Sequence, residues 1–103
     1  MSRDIDSKAQ ADIRAMVYAF FAEECGRDCA ELTDRTDIIR ELDGDSLMLL
    51  SLLERVRKAY GLTIELKTLG RRLMKRPAGT IGQVVDLTLA LVRHGDDIVN
   101  VDL

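Results

Sequence analysis

The 103-residue sequence has no tryptophan, one histidine, one proline and two cysteines, and only 4% of it is aromatic. Each scarcity excludes something. With so few rings, the core must be built from Leu, Ala, Ile and Val, which suits packed helices. A single histidine, His94, leaves no readable Ser–His–Asp arrangement. Cys25 and Cys29, four apart, with only that distant histidine, are too few ligands for a metal site. The two thiols read as small apolar residues, and His94, near a helix end, reads as a cap. Gly79 and Gly82 fit neither nucleotide-binding glycine fingerprint. Carboxylates are plentiful, but none forms a readable catalytic pair.

A basic excess is missing too. Fifteen Lys and Arg stand against eighteen Asp and Glu, for a net charge of −3 and a pI near 5.1. That argues against a general nucleic-acid binder. No stretch approaches the run of about 18 apolar residues that spans a bilayer, and MSRDIDSKAQ lacks the apolar run of a signal peptide. The expectation is a cytoplasmic protein, monomeric, without stable membrane insertion. At this length one domain is expected over 1–103, with a helical core at about 8–94 and loose tails at 1–6 and 96–103. Such a domain buries roughly 60–65% of its unfolded surface, which leaves little room for a deep cleft.

What is present is helical periodicity. Ile13, Met16, Val17, Phe20 and Phe21 form one stripe of a first helix, about Ser7–Glu24, closed by Gly26. Residues 27–44 read as a long ordered loop, pinned by Leu32, Ile38, Ile39 and Leu42. A second helix starts at Asp45 or Ser46 and ends at Gly61. Asp45 is its N-cap, and Leu49, Leu52, Leu53, Val56 and Tyr60 are its buried stripe. Leu62, Ile64 and Leu66 alternate like a strand, but there is no second strand to pair with. A short third helix fits residues 67–76, weakened by Gly70 and stopped by Pro77. The last helix begins at Thr80, whose T-x-x-Q pattern with Gln83 is a capping box, and Gly95 closes it. The fold class is all-α, a small bundle of three to four helices with a long first loop.

One corner carries chemistry. In Leu42-Asp43-Gly44-Asp45-Ser46-Leu47 a serine stands at the first turn of a helix, after a glycine and a capping aspartate. Helix starts expose unpaired N–H groups and the positive end of the dipole, so a phosphate ester on Ser46 would be stabilised there. Taken alone, Asp-Ser-Leu marks little more than a helix start.

The wider pattern resembles the acyl carrier protein family. A striped helix and long loop lead into Glu41-Leu42-Asp43-Gly44-Asp45-Ser46-Leu47, apolar spacing continues through Val56 and Tyr60, and Ile64 follows the helix. Thr80-Ile81-Gly82-Gln83-Val84 is similar to the start of the family's last helix. The resemblance covers about residues 8–94. It implies a carrier and not an enzyme, with 4′-phosphopantetheine donated from coenzyme A to Ser46 by a phosphopantetheinyl transferase. It also implies that Asp45 contacts that transferase. The arm's thiol would hold an acyl thioester for acyl-loading, acyl-transfer or condensing enzymes of a fatty-acid, polyketide or lipid pathway. Aminoacyl and peptidyl carriers, often with Gly-Gly where this chain has Asp43-Gly44, rank second. An unmodified helical interaction module is the remaining alternative.

Two departures stand out. From Ser46 to Lys58 there are one acid and three bases, where familiar fatty-acid carriers are strongly acidic. Leu47, Met48 and Leu50 lie off or at the edge of the stripe, either meeting partners or covering the loop. Residues 67–76 hold Lys67, Arg71, Arg72, Lys75 and Arg76 and no acid. This connector is several residues longer than the compact family pattern. It reads as a solvated face, or as a contact for an acidic partner or a headgroup layer, with Arg71 and Arg72 as candidates. Both departures imply a dedicated pathway.

Overall fold

The computed structural model describes residues 6–75 and 78–95. It contains helices α1 (Ser7–Cys25), α2 (Ile38–Leu42), α3 (Ser46–Ala59), α4 (Leu66–Lys75) and α5 (Ile81–His94), with one 3-10 turn at Cys29–Glu31. No strand occurs among the described residues. Helix α1 packs against α5, and α3 against both α4 and α5. The tails at 1–5 and 96–103 and the proposed stop at Pro77 lie outside the described residues.

The apolar stripes meet in one core. Ile13, Val17, Phe20 and Phe21 of α1 are buried with Leu49, Leu52, Leu53 and Val56 of α3 and Val84, Val85, Leu91 and Val92 of α5. Phe20 and Phe21 meet edge to face at 5.4 Å. The Arg55 guanidinium lies 5.1 Å from the Phe20 ring centroid, and 3.8 Å from Glu24, joining α3 to α1 across the surface. The α5 capping box is complete: Thr80 Oγ1 accepts from Gln83 N, and Gln83 Oε1 from Thr80 N. Thr88, apolar-facing in sequence, satisfies its buried hydroxyl on Val84 O at 2.8 Å.

The first loop is more structured than its composition implies. It includes the 3-10 turn and α2, capped by Asp37, whose carboxylate accepts from Ile39 N and Arg40 N. Leu32, Ile38 and Leu42 pin it as expected, but Ile39 does not. Ile39 is 66% exposed, because it follows Ile38 on a helix and so points about 100° away. The loop is also clamped to the start of α5. Gly82 N donates to Asp34 O, Ile81 N to Thr36 O and Ile38 N to Gly79 O, at 2.9–3.1 Å. Asp34 in turn accepts from Arg14 Nη1 at 2.6 Å and from the Tyr18 hydroxyl.

The alternation at Leu62, Ile64 and Leu66 forms no strand. Ile64 is buried in the α3–α4 link, while Leu66 opens α4 and is partly exposed. Gly70 does not break α4; a Cβ there would meet Leu50 Cδ2 at an ordinary 3.8 Å. The cysteines differ: Cys25 packs on the core, where burial pushes its thiol pKa up, while Cys29 is exposed.

Candidate functional site

The corner at Ser46 is built from a turn between two helices. Asp43 ends α2 in the left-handed region, at φ 55°, a conformation that Asp tolerates better than most residues. Gly44 follows. Its need is space: a Cβ there would stand 2.6 Å from Ile38 Cγ2 and 3.3 Å from Ile38 O. The chain can then turn sharply over the start of α2 into α3, with Gly44 N donating to Ile38 O at 2.9 Å.

Asp45 caps α3 as its sequence predicts, its carboxylate accepting from Met48 N at 2.9 Å. Ser46 is the first helical residue and is exposed. Its hydroxyl has no partner among the described residues, and neither do the backbone N–H groups of Ser46 and Leu47. The arrangement is an accessible hydroxyl beside unclaimed donors at the positive end of a 14-residue helix. A helix start of this kind favours an anion such as a phosphate ester.

Two recesses flank α3. A small one of about 60 Å³ is lined by Ile38, Ile39, Asp45, Ser46, Leu49, Leu73 and Ala78. An open groove of about 280 Å³ lies between α3 and α4, walled by Leu47, Leu50, Ser51, Glu54 and Leu66.

Comparison with known proteins decides what this corner belongs to. The family model described as "Phosphopantetheine attachment site" matches residues 16–87. The chain belongs to the acyl carrier protein family. It is 44% identical over 99 residues to an "Acyl carrier protein homolog" of Clostridium acetobutylicum, covering 96% of each chain. No solved structure gives a significant match. The acyl carrier is not an enzyme; its cofactor is covalent 4′-phosphopantetheine. The exposed hydroxyl and unclaimed N–H groups at the α3 start fit that group.

Other residues singled out in the sequence separate in space. Leu47 is 74% exposed beside Ser46. Met48 and Leu50 are half-buried and pack on the core. Arg71 faces solvent, whereas Arg72 is half-buried and its Nε is enclosed without a hydrogen-bond partner among the described residues. Among those residues no three His, Cys, Asp or Glu side chains are grouped to hold a metal, and no helix is long and apolar enough to cross a membrane. The sequence reading missed Met74, 84% exposed on α4. Its signal was available: Met74 lies more than a quarter turn from the Leu69–Leu73 stripe.

Proposed function

We propose that Ser46 is the residue that bears 4′-phosphopantetheine and that the chain carries acyl groups for a dedicated pathway. The observation that carries the reading is the placement of Ser46: an exposed, unpartnered hydroxyl at the capped N-terminus of α3, inside the matched 16–87 segment. When bound, the arm supplies a terminal thiol that holds an acyl group as a thioester. The protein's own contribution is positional. Asp45 fixes the first turn of α3 through Met48 N, and the free N–H groups of that turn favour the phosphodiester charge.

The exposure of Asp45 next to the hydroxyl that must attack coenzyme A supports a contact with the transferase as well. The groove between α3 and α4 has room for several methylene groups, which the small recess at Ser46 lacks. An acyl chain laid along this open groove is covered on the side that meets Leu47, Leu50 and Leu66 between visits to loading, transfer or condensing enzymes. The non-acidic α3 supports a pathway of its own, in the fatty-acid, polyketide or lipid classes, which the chain serves as a monomeric single-domain carrier in the cytoplasm.

Incubation with coenzyme A and a broad-range phosphopantetheinyl transferase, followed by intact-mass measurement, tests the reading. The wild type gains one arm, and Ser46→Ala gains none while keeping its helical circular dichroism. No mass change on the wild type, or a full arm on Ser46→Ala, removes Ser46 from the role.

A further inference from the structure

Charge on this chain is segregated around Ser46. Residues 46–75, which form α3, α4 and their link, hold seven bases and two acids. The rest of the chain holds eight bases and sixteen acids. Of the two acids, Glu54 is neutralised locally: Arg57 Nε and Nη2 donate to it at 3.0 and 2.9 Å, and Lys58 Nζ lies 3.7 Å away. Among the described residues outside 46–75 there are six bases and twelve acids, the exposed Asp43 and Asp45 before the serine included, so an acidic surface is better accommodated along α3 and α4 than over the rest of the described surface.

The bases on α4 are arranged to meet something. Leu69 and Leu73 bury one side of the helix. Lys67, Arg71 and Lys75, at i, i+4 and i+8, share the solvent-facing row. All three are exposed and none forms an ion pair with a described residue. Next to this row lie exposed Met74 and the α3–α4 groove with Leu47 and Leu66 on its walls. Leu73, on the last turn of α4, shares the small recess with Ser46. The end of α4 therefore lies next to the serine.

We propose that the enzymes acting at Ser46 dock on the α3–α4 face, and that their docking surfaces are acidic around an apolar centre that receives Leu47 and Met74. The proposal rests on the reading of Ser46 as the attachment residue. A protein partner is favoured over a lipid surface because the continuous apolar side of α4 is already spent on the core. What remains exposed on this face is three apolar side chains, Leu47, Leu66 and Met74, spread over two helices around an open groove, not one continuous helix face able to lie in a bilayer. Complementary charge would raise encounter rates and fix orientation more than it adds affinity.

The test uses the phosphopantetheinyl transferase of the source organism, with coenzyme A and intact-mass readout. The kcat/KM for wild type should fall as NaCl rises from about 0.05 to about 0.5 M, because screening removes the attraction. K67E/R71E/K75E should lower kcat/KM about tenfold or more at low salt. Acids near a helix C-terminus are unfavourable, so K67Q/R71Q/K75Q is measured as well and should fall between the two, with circular dichroism like wild type. Charge variants modified as fast as wild type, or faster, overturn the proposal. Failure of the Ser46 reading looks different: the wild type then gains no mass with this transferase or with a broad-range one. Wild type that sediments with phosphatidylglycerol vesicles, loses this in the charge variants, and keeps an unchanged modification rate assigns the face to lipid and overturns the protein partner.

Discussion

Gly44 lies so close to Ile38 that a Cβ on it would stand 2.6 Å from Ile38 Cγ2. Ile38 is buried at the first turn of α2, where its Cγ2 has little room to give way. Gly44 is therefore held by space, and the left-handed turn next to it falls on Asp43. Gly44→Ala should destabilise the fold by about 1–3 kcal/mol through overpacking, seen as a lower urea midpoint. The strain lies two residues before Ser46, so transferase modification should slow even at temperatures where the variant is folded. Wild-type stability in Gly44→Ala would mean that Ile38 can move aside after all.

Asp45 has two roles that one pair of variants separates. Its carboxylate caps α3 at Met48 N, and Ala in its place removes the cap at a cost of about 1 kcal/mol. Asn caps nearly as well as Asp, so Asp45→Asn should keep the denaturation midpoint. If the charge also matters to the transferase, Asp45→Asn is modified several-fold more slowly despite that stability. Equal modification rates for Asn and Asp would confine Asp45 to capping.

Asp34 makes stability depend on acid. The Arg14 guanidinium, donating at 2.6 Å, is the larger cause holding the Asp34 carboxyl below its ordinary range, and the Tyr18 hydroxyl adds to it. A carboxylate whose pKa is depressed on folding contributes stability above its unfolded value, near 3.9. That contribution is lost as pH falls through the folded value. The cluster is about half exposed, so its worth is roughly 0.2–1 kcal/mol. Asp34→Ala should thus lose midpoint at pH 7 and differ less from wild type near pH 3, in urea melts at both values. An equal gap at the two pH values would show that the charge contributes nothing.

The sequence made the long helices legible because their burial is periodic. Leu49, Leu52, Leu53 and Val56 had to share a side, and Thr80 with Gln83 had to begin a helix. It concealed α2 because five residues are too few for a period to show, and beyond the local Asp37 cap that helix is secured by the Asp34–Gly82 clamp and the Gly44–Ile38 approach. The alternation through Leu62, Ile64 and Leu66 misled in the same way, since three residues fit a strand or the entrance to a helix equally well. At the site, Ser46 and Asp45 were legible as a cap and its successor. The split between Arg71 and Arg72 was available in the same way as the exposure of Met74, since Arg71 lies opposite the Leu69–Leu73 stripe and Arg72 beside it. The family resemblance supplied the chemistry that the Asp-Ser-Leu corner by itself leaves open.

Leu47 and Met48, grouped in sequence as apolar residues off the stripe, part company in the fold, Leu47 standing opposite the stripe and Met48 beside Leu52 on its edge. Met48 is half-buried against the core, its sulfur near Gly44, while Leu47 is 74% exposed on the groove wall. Met48→Ala should therefore cost about 1–2 kcal/mol of stability, less than the full burial value because the side chain is only partly enclosed. Leu47→Ala should stay within about 0.5 kcal/mol of wild type, as exposed substitutions do. The functional effects should run the other way: Leu47→Ala slows transfer at Ser46 in saturable fashion, raising KM, because an exposed leucine beside the reacting hydroxyl is worth burying only against a partner. A Leu47→Ala variant with unchanged KM, or one that unfolds earlier than Met48→Ala, would assign Leu47 to the fold rather than to recognition.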